Sequence, residues 1–367
     1  MKLLLIIVGY PLSLLYAAAV RLRNKCYDWR LFASVAFRLP VIVVGNLTAG
    51  GTGKTPHTEW LASVLRRTTT AAVLSRGYKR TSKGFRYVGV SDAVRQAGDE
   101  PLQIKRKYPD MTVAVDADRV RGIGRLMQDD PHLGVVILDD AYQHRRVRPA
   151  LSVLLMDYNR PVYRDHYLPY GRLRDNVSRL RHADVVIVTK CPGSLPPAEQ
   201  ATVAARLKLL PRQLLYFTTF RYAAPQPVFD GYDLAADARQ AVAVTGIAND
   251  AAFVQYLQQA YDVVRHLPFA DHHFFTPNDA AHICAAASAH PEALLFTTEK
   301  DAQRLRSTAG LSESVKRRLF YIPVSVAFLP PADEAKFTDY LVRFLQAYMP
   351  PTVSSPFTMS KVKPNPK

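Results

Sequence analysis

Cysteine and acidic residues are scarce in this chain. Its 367 residues include three cysteines, Cys26, Cys191 and Cys284, and no CxxC pair. That excludes a disulfide framework and a structural zinc site, and it fits a reducing compartment. Asp and Glu total 31 against 48 Lys and Arg, a net charge of +17. No internal repeat is present, and no basic–aromatic interleaving or recognition module supports a nucleic-acid partner. A hydrophobic share of 48% with 22% charged residues excludes a disordered chain as a whole and allows two ordinary domains.

The basic excess is clustered. Arg21, Arg23, Lys25 and Arg30 form one group, and a second lies between Arg160 and Arg181. Scattered lysines and arginines suit plain solubility, whereas clusters favour an anionic partner such as a membrane surface or a phosphorylated substrate.

Residues 3–20 carry no charge and are mostly apolar. As a helix they would extend about 27 Å, close to the roughly 30 Å hydrocarbon core of a bilayer. Pro11 and Gly9 interrupt the run. Three readings are open: a cleaved signal peptide ending near Ala17-Ala18-Ala19, a buried core helix, and a membrane anchor. The anchor is preferred, spanning or lying in the interface, with Arg21, Arg23 and Lys25 at the headgroups. Export would remove the chain from ATP, which the motif described next requires.

Val41-Ile42-Val43-Val44 reads as a buried parallel strand, and a helix is predicted over 54–66. Between them lies Gly45-Asn46-Leu47-Thr48-Ala49-Gly50-Gly51-Thr52-Gly53-Lys54-Thr55. Glycines let backbone N–H groups surround phosphate oxygens. A lysine reaches the β and γ phosphates, and a threonine hydroxyl can ligate Mg²⁺. Thr48 stands where the strict P-loop pattern has glycine, so this is a variant loop. Thr48, Ala49, Gly50, Gly51, Thr52, Gly53, Lys54 and Thr55 are the expected nucleotide-binding residues. Val135-Val136-Ile137-Leu138 leads into Asp139-Asp140. Taken alone that pair suits a turn, but beside a P-loop it suits a Walker B acid that holds Mg²⁺.

Further strands are predicted over 71–75, 111–115, 151–156 and 184–189, with helical patterns between several of them. That alternation gives a parallel sheet covered on both faces. After Pro211 the character changes. Strands over 241–245, 263–267 and 294–298 alternate with helices over 250–260 and 277–290, which reads as a second, smaller α/β domain. The expected organisation is an N-terminal membrane-associated helix (1–25), a P-loop kinase domain (26–220), a smaller α/β domain (221–330), a C-terminal helix (331–349) and a disordered tail (350–367). The fold class is thus α/β, a P-loop NTPase-like parallel sheet with a smaller α/β domain and an N-terminal apolar helix.

Several short segments together resemble the tetraacyldisaccharide 4′-kinase family, the lipid A pathway kinases of Gram-negative bacteria. They are the loop through Pro56, Ser75-Arg76-Gly77-Tyr78, Gly98-Asp99-Glu100-Pro101, Asp139-Asp140-Ala141-Tyr142-Gln143-His144, Leu173-Arg174-Asp175, Thr245-Gly246-Ile247-Ala248-Asn249, Phe269-Ala270-Asp271-His272-His273 and Thr297-Thr298-Glu299-Lys300-Asp301. The resemblance implies transfer of the ATP γ-phosphate, with Mg²⁺, to the 4′-hydroxyl of an acylated glucosamine disaccharide 1-phosphate. It implies the cytoplasmic face of the bacterial inner membrane and a membrane-embedded glycolipid substrate, with no nucleic acid and no obligate protein partner evident. It assigns Asp99 as the base for the acceptor hydroxyl and His272 as its partner. It assigns Thr55, Asp139, Asp140 and Asp175 to the metal, and Arg76, Gln143, His144 and Arg174 to substrate or phosphate contacts. The chain departs from the family at Ala141-Tyr142, where Gly-Phe is usual, and at Asp175, where Glu is usual.

Simpler roles exist for the same residues. Asp99 before Pro101 suits a helix N-cap. Segment 297–301 suits either a helix start or a group closing on the nucleotide. The rival function is a membrane-associated P-loop GTPase or ATPase acting as a switch or assembly factor. Thr189-Lys190 faintly suits its base recognition, but Cys191-Pro192 follows where that class has Asp.

Overall fold

The buried strand Val41–Asn46 organises the molecule, because its alternate side chains feed two different cores. Ile42 and Val44 pack with Trp60, Leu61 and Leu65, while Val41 and Val43 pack with Ile123 and Leu126 on the other face. A strand apolar on both faces needs helices on both sides, and these are the helices Lys54–Leu65 and Arg119–Asp129. The computed structural model describes residues 5–234 and 238–348, so the tail expected over 350–367 lies outside the described residues.

Among the described residues fourteen strands are numbered in chain order. They are β1 (Val41–Asn46), β2 (Ala71–Ser75), β3 (Arg86–Tyr87), β4 (Thr112–Val115), β5 (Val135–Leu138), β6 (Leu151–Asp157), β7 (Val185–Thr189), β8 (Leu214–Tyr222), β9 (Gln226–Pro227), β10 (Gln240–Thr245), β11 (Asp262–Pro268), β12 (Leu294–Thr298), β13 (Leu319–Ile322) and β14 (Val324–Leu329). The large sheet has the order β14-β8-β7-β6-β1-β5-β2-β4-β3, and the small one β11-β10-β12-β13-β9. The large sheet is parallel from β8 to β4, with β14 and β3 antiparallel at its edges. β1 lies between β5 and β6, so the chain reaches opposite sides of the sheet around it. The crevice beyond the carboxyl ends of the strands at such a point is where open α/β sheets bind ligands.

β14 corrects the predicted boundary. Val324–Leu329 was expected in the smaller domain, but it pairs with β8 in the large sheet. The helix Ala332–Tyr348 follows it there, stacking Phe337 on Trp60 and Tyr216 with ring centroids 5.3 and 4.8 Å apart. The physical reason is hydrophobic. Phe328 and Phe337 are almost fully buried and join the core that holds Ile42, Val44 and Trp60.

The N-terminal helix Tyr10–Asp28 docks through a stripe of small or polar residues, Ser13, Ala17, Val20 and Asn24. Ser13 Oγ accepts from the Tyr170 amide at 3.0 Å, and Asn24 Nδ2 donates to Asp175 at 2.7 Å. Leu12, Leu14, Leu15 and Leu22 point outward and are exposed. Among the described residues no helix is long and apolar enough to cross a membrane. The spanning form of the predicted anchor is therefore not seen. Arg21, Arg23 and Lys25 break the apolar run, and the docked stripe carries Ser13 and Asn24.

Candidate active site

The phosphate-binding loop leaves β1 and enters the helix Lys54–Leu65. Gly53 has φ +83°, and a Cβ there would lie 2.5 Å from Phe220 Cζ, so only glycine fits this turn. Asn46 Nδ2 donates to Thr52 Oγ1 at 2.7 Å, and Thr189 Oγ1 donates to the Thr52 carbonyl at 2.9 Å. Thr189 thus braces the loop from two strands away. Thr48 bridges Leu173, and the Ala49 amide donates to the Arg172 carbonyl at 2.7 Å. The first half of the loop is therefore bound to segment 172–174, and the second half leads through Gly53 into the helix.

Asp139 and Asp140 follow β5, next to β1. Thr58 Oγ1 donates to Asp139 Oδ1 at 2.9 Å, while Asp139 Oδ2 is buried without a partner. Burial first, then the carboxylates of Glu100 and Asp140, push Asp139 up to about 7. A buried acid with an unspent oxygen and like-charged neighbours suits a divalent cation. Among the described residues no three His, Cys, Asp or Glu converge as a metal cage. Asp140 sits at φ +46° and pairs with Arg174 and, at 3.7 Å, with Lys54 Nζ. Burial opposes its ionisation, but Lys54 and Arg174 outweigh it and hold its carboxyl below the usual range. A non-glycine residue in that conformation costs roughly 1–3 kcal/mol, which the two cations offset.

The remaining predicted residues divide into two groups. Gln143 Nε2 donates to the Asn46 carbonyl at 2.6 Å, and Arg174 Nη2 donates to Asn46 Oδ1 at 2.5 Å, so both grip the loop's base. His144 Nε2 is buried and unpartnered, and burial followed by Arg119 pulls the ring down to about 4. Arg76 is exposed just past β2. Asp175 is tied elsewhere. It is fully buried, and its Oδ1 accepts from Asn24 and from the Asn176 amide, both at 2.7 Å. Its Oδ1 ties the N-terminal helix to the segment that bridges the loop at Leu173, while its Oδ2 is buried without a partner.

The second group assembles beside it. Gly98, at φ +94°, lets the chain pass Gly77, whose Cα would lie 3.1 Å from an added Cβ. Asp99 is thereby set at the edge where β2 ends. It is the first residue of the helix Asp99–Lys107, and its Oδ1 accepts from the Glu100 amide at 3.0 Å. Its Oδ2 instead meets His272 Nδ1 at 2.9 Å. Arg304 Nη1 lies 3.5 Å from the same oxygen, and Lys300 Nζ lies 4.0 Å from it. Burial opposes ionisation of Asp99, yet His272, Lys300 and Arg304 outweigh it and hold its carboxyl well below the usual carboxylate range. His272, at φ +56°, is held by its amide donating to the Gly246 carbonyl at 3.1 Å. His273 instead meets Asp279 at 2.9 Å, in the capping box that starts the next helix.

Segment 297–301 is a helix start. Thr298 caps the helix Glu299–Leu305, accepting from the Asp301 amide. That helix also carries Lys300 and Arg304 to Asp99. Sequence reasoning missed Arg304, because only the long-range fold brings it near Asp99. It missed Arg119 too. Arg119 is buried, its Nε is unpartnered, and burial followed by Arg76 lowers it to about 10.

The family model for tetraacyldisaccharide-1-P 4′-kinase, LpxK, matches residues 5–346. The chain belongs to this family. It is 41% identical to the tetraacyldisaccharide 4′-kinase of Phocaeicola vulgatus over 344 residues, covering 90% of this chain and 94% of that protein. It is equally 41% identical to that of Bacteroides thetaiotaomicron over 352 residues, covering 92% of both. A crystal structure of the "apo" form of LpxK from Aquifex aeolicus in complex with ATP superposes with a TM-score of 0.70 at 26% identity, over 91% of this chain and 98% of that one. Family membership places the chain among kinases and sets aside the GTPase switch.

Proposed function

We propose that the protein transfers the γ-phosphoryl group of ATP to the 4′-hydroxyl of a tetraacylated glucosamine disaccharide 1-phosphate. The observation that carries this reading is the combination of a P-loop, a buried acid with an unspent oxygen and a carboxylate–imidazole pair, whose Asp99 lies one residue before Glu100, the carboxylate whose charge acts on that buried acid. A switch needs the first two. The third is what an alcohol acceptor requires. The names of the curated relatives support the acceptor, and the ATP complex of the Aquifex aeolicus enzyme supports the donor.

Lys54 and the Gly50–Thr55 amides would hold the β and γ phosphates. Thr55, Asp139 and Asp140 would hold Mg²⁺, which would neutralise charge that develops on the β and γ phosphates. The acceptor oxygen forms its bond to Pγ as the bond from Pγ to the β–γ bridging oxygen breaks. Asp99 receives the hydroxyl proton. A carboxyl held so low is a weak base, so it first orients the hydroxyl. It gains the proton late, once bonding to phosphorus has made the hydroxyl more acidic. His272 and Arg304 keep the carboxylate aimed.

The acceptor lipid resides in a bilayer, so the active site must approach one. The outward Leu12, Leu14, Leu15 and Leu22, with Arg21, Arg23 and Lys25 on the same helix, suit an interfacial helix on an anionic surface. This supports association with the cytoplasmic face of the inner membrane. The test is transfer of label from γ-labelled ATP to the lipid disaccharide 1-phosphate in mixed micelles. Label in the lipid at the 4′ position is expected, and nucleotide hydrolysis with no labelled lipid would refute the acceptor.

A further inference from the structure

Lys300 has no assigned part in this reaction, yet it touches the site. Its Nζ lies 3.0 Å from His272 Nε2 and 3.2 Å from Glu100. An ammonium has three donors and no lone pair. For Lys300 to bond Nε2, that nitrogen must carry the lone pair, and the ring proton must sit on Nδ1. Nδ1 is the atom facing Asp99 at 2.9 Å. The chain Glu100, Lys300, His272, Asp99 therefore has one consistent proton arrangement, with donation from Lys300 to the ring and from the ring to Asp99. A doubly protonated ring would set two N–H donors against each other at 3.0 Å.

We propose, building on the kinase reading, that Lys300 is a positioning residue that fixes His272 as the neutral Nδ1–H tautomer and so keeps Asp99 an aimed, hydrogen-bonded carboxylate. The second ring nitrogen sets the state of the first, which is how histidine tautomers are generally controlled. Burial pushes the Lys300 ammonium down, but Glu100 and then Asp99 and Asp271 outweigh it and raise it, so the donor stays charged. The other charged and titratable groups around the ring do not replace it. Lys79 Nζ bonds the His272 carbonyl at 3.4 Å, and Tyr78 packs its ring edge-on at 5.0 Å between centroids. Arg304 is spent on Asp301 and the Gly246 carbonyl and faces Asp99 rather than the ring. Without Lys300, Nε2 faces Glu100 with no donor between them, which favours a proton on Nε2.

The test uses the full chain with ring-¹⁵N histidine, the His272 signal being assigned by its loss in His272→Gln. In the wild type, Nδ1 is expected to read as protonated and Nε2 as bare. Lys300→Met should move Nε2 to the protonated position. It should also lower kcat about ten- to a hundredfold, part of the ~10² to 10⁴ that a positioned base contributes, with KM for ATP changed less than about twofold. Lys300→Arg keeps a charged donor and should restore a bare Nε2 and most of kcat. A Lys300→Met protein with a bare Nε2 overturns the proposal. So do Met and Arg variants that lose kcat equally alongside an equal drop in Tm, because that is a packing role. The tautomer is read without any acceptor, so absence of lipid phosphorylation by the wild type would count against the kinase reading alone.

Discussion

Asp99 and His272 are 173 positions apart in the chain and meet at 2.9 Å, one from the helix Asp99–Lys107 between β3 and β4 of the large sheet and the other from the loop after β11 of the small sheet. The acceptor chemistry is thus divided between the two sheets, while the phosphate chemistry belongs to the large one.

That division gives the first prediction. Asp99→Asn keeps the size and the contact to the Glu100 amide but cannot take a proton. It should lower kcat by roughly 10² or more while ATP affinity changes little. His272→Ala should also lower kcat, and the double variant should lose less than the product of the single losses, as for groups acting as one unit. Kinetics and Tm on the same three proteins decide the matter. A stable Asp99→Asn enzyme with wild-type turnover would mean the acid is structural.

Lys54→Ala and Thr55→Ala test the loop. Positioning and charge neutralisation supply most of phosphoryl-transfer catalysis, so each should lose roughly a hundredfold or more in turnover with the circular dichroism unchanged. Near-normal turnover of either variant would contradict the assignment of the loop.

Stability against pH should report Glu59. It is buried on the Lys54–Leu65 helix with Lys107 at 2.7 Å, and Lys107 also serves Glu299 at 3.3 Å. Burial raises Glu59 from 4.5 to about 7, Lys107 opposing and Glu299 assisting. Its folded value lies above its unfolded one, so the native state binds more protons between those limits. The stabilisation is full below about 4.5 and is lost as pH rises through about 7. Glu59→Gln keeps the shape and removes this slope. Relative to wild type it should gain stability at pH 8 over pH 5, on the order of a few kcal/mol. Urea melts at both values measure it, and parallel wild-type and variant curves would contradict the assignment.

Leu15 and Leu22 are 68% and 61% exposed, so charging them should not unfold the protein. Leu15→Glu with Leu22→Glu should weaken co-sedimentation with anionic vesicles and raise the apparent KM for the lipid acceptor several-fold, leaving KM for ATP alone. Unchanged vesicle binding would place the membrane contact elsewhere on the chain.

The features legible in the sequence are local. Val41–Asn46, the glycine-rich turn and the helix beginning at Lys54 are contiguous, and their logic lies in spacing: β-branched residues for a doubly covered strand, glycine where φ is positive, Lys-Thr at the helix start. Asp139-Asp140 was legible for the same reason, because it ends an apolar run. The strands Leu214–Tyr222, Leu319–Ile322 and Val324–Leu329 were missed. The first and third are mixed in polarity, the second is only four residues long, and the last two lie in a range that reads as the end of a separate unit.

The sequence by itself determined a P-loop kinase architecture, since backbone conformation and phosphate chemistry there depend on residues adjacent in the chain. The tertiary structure decided which groups surround the reacting oxygen. Asn24 claims Asp175, Phe337 closes the core over Trp60, and the helix Glu299–Leu305 brings Lys300 to His272 and Arg304 to Asp99. These pairings link residues that burial brings together from distant segments. A carboxylate's basicity depends on the charges a few ångströms away in space, which spacing along the chain does not encode.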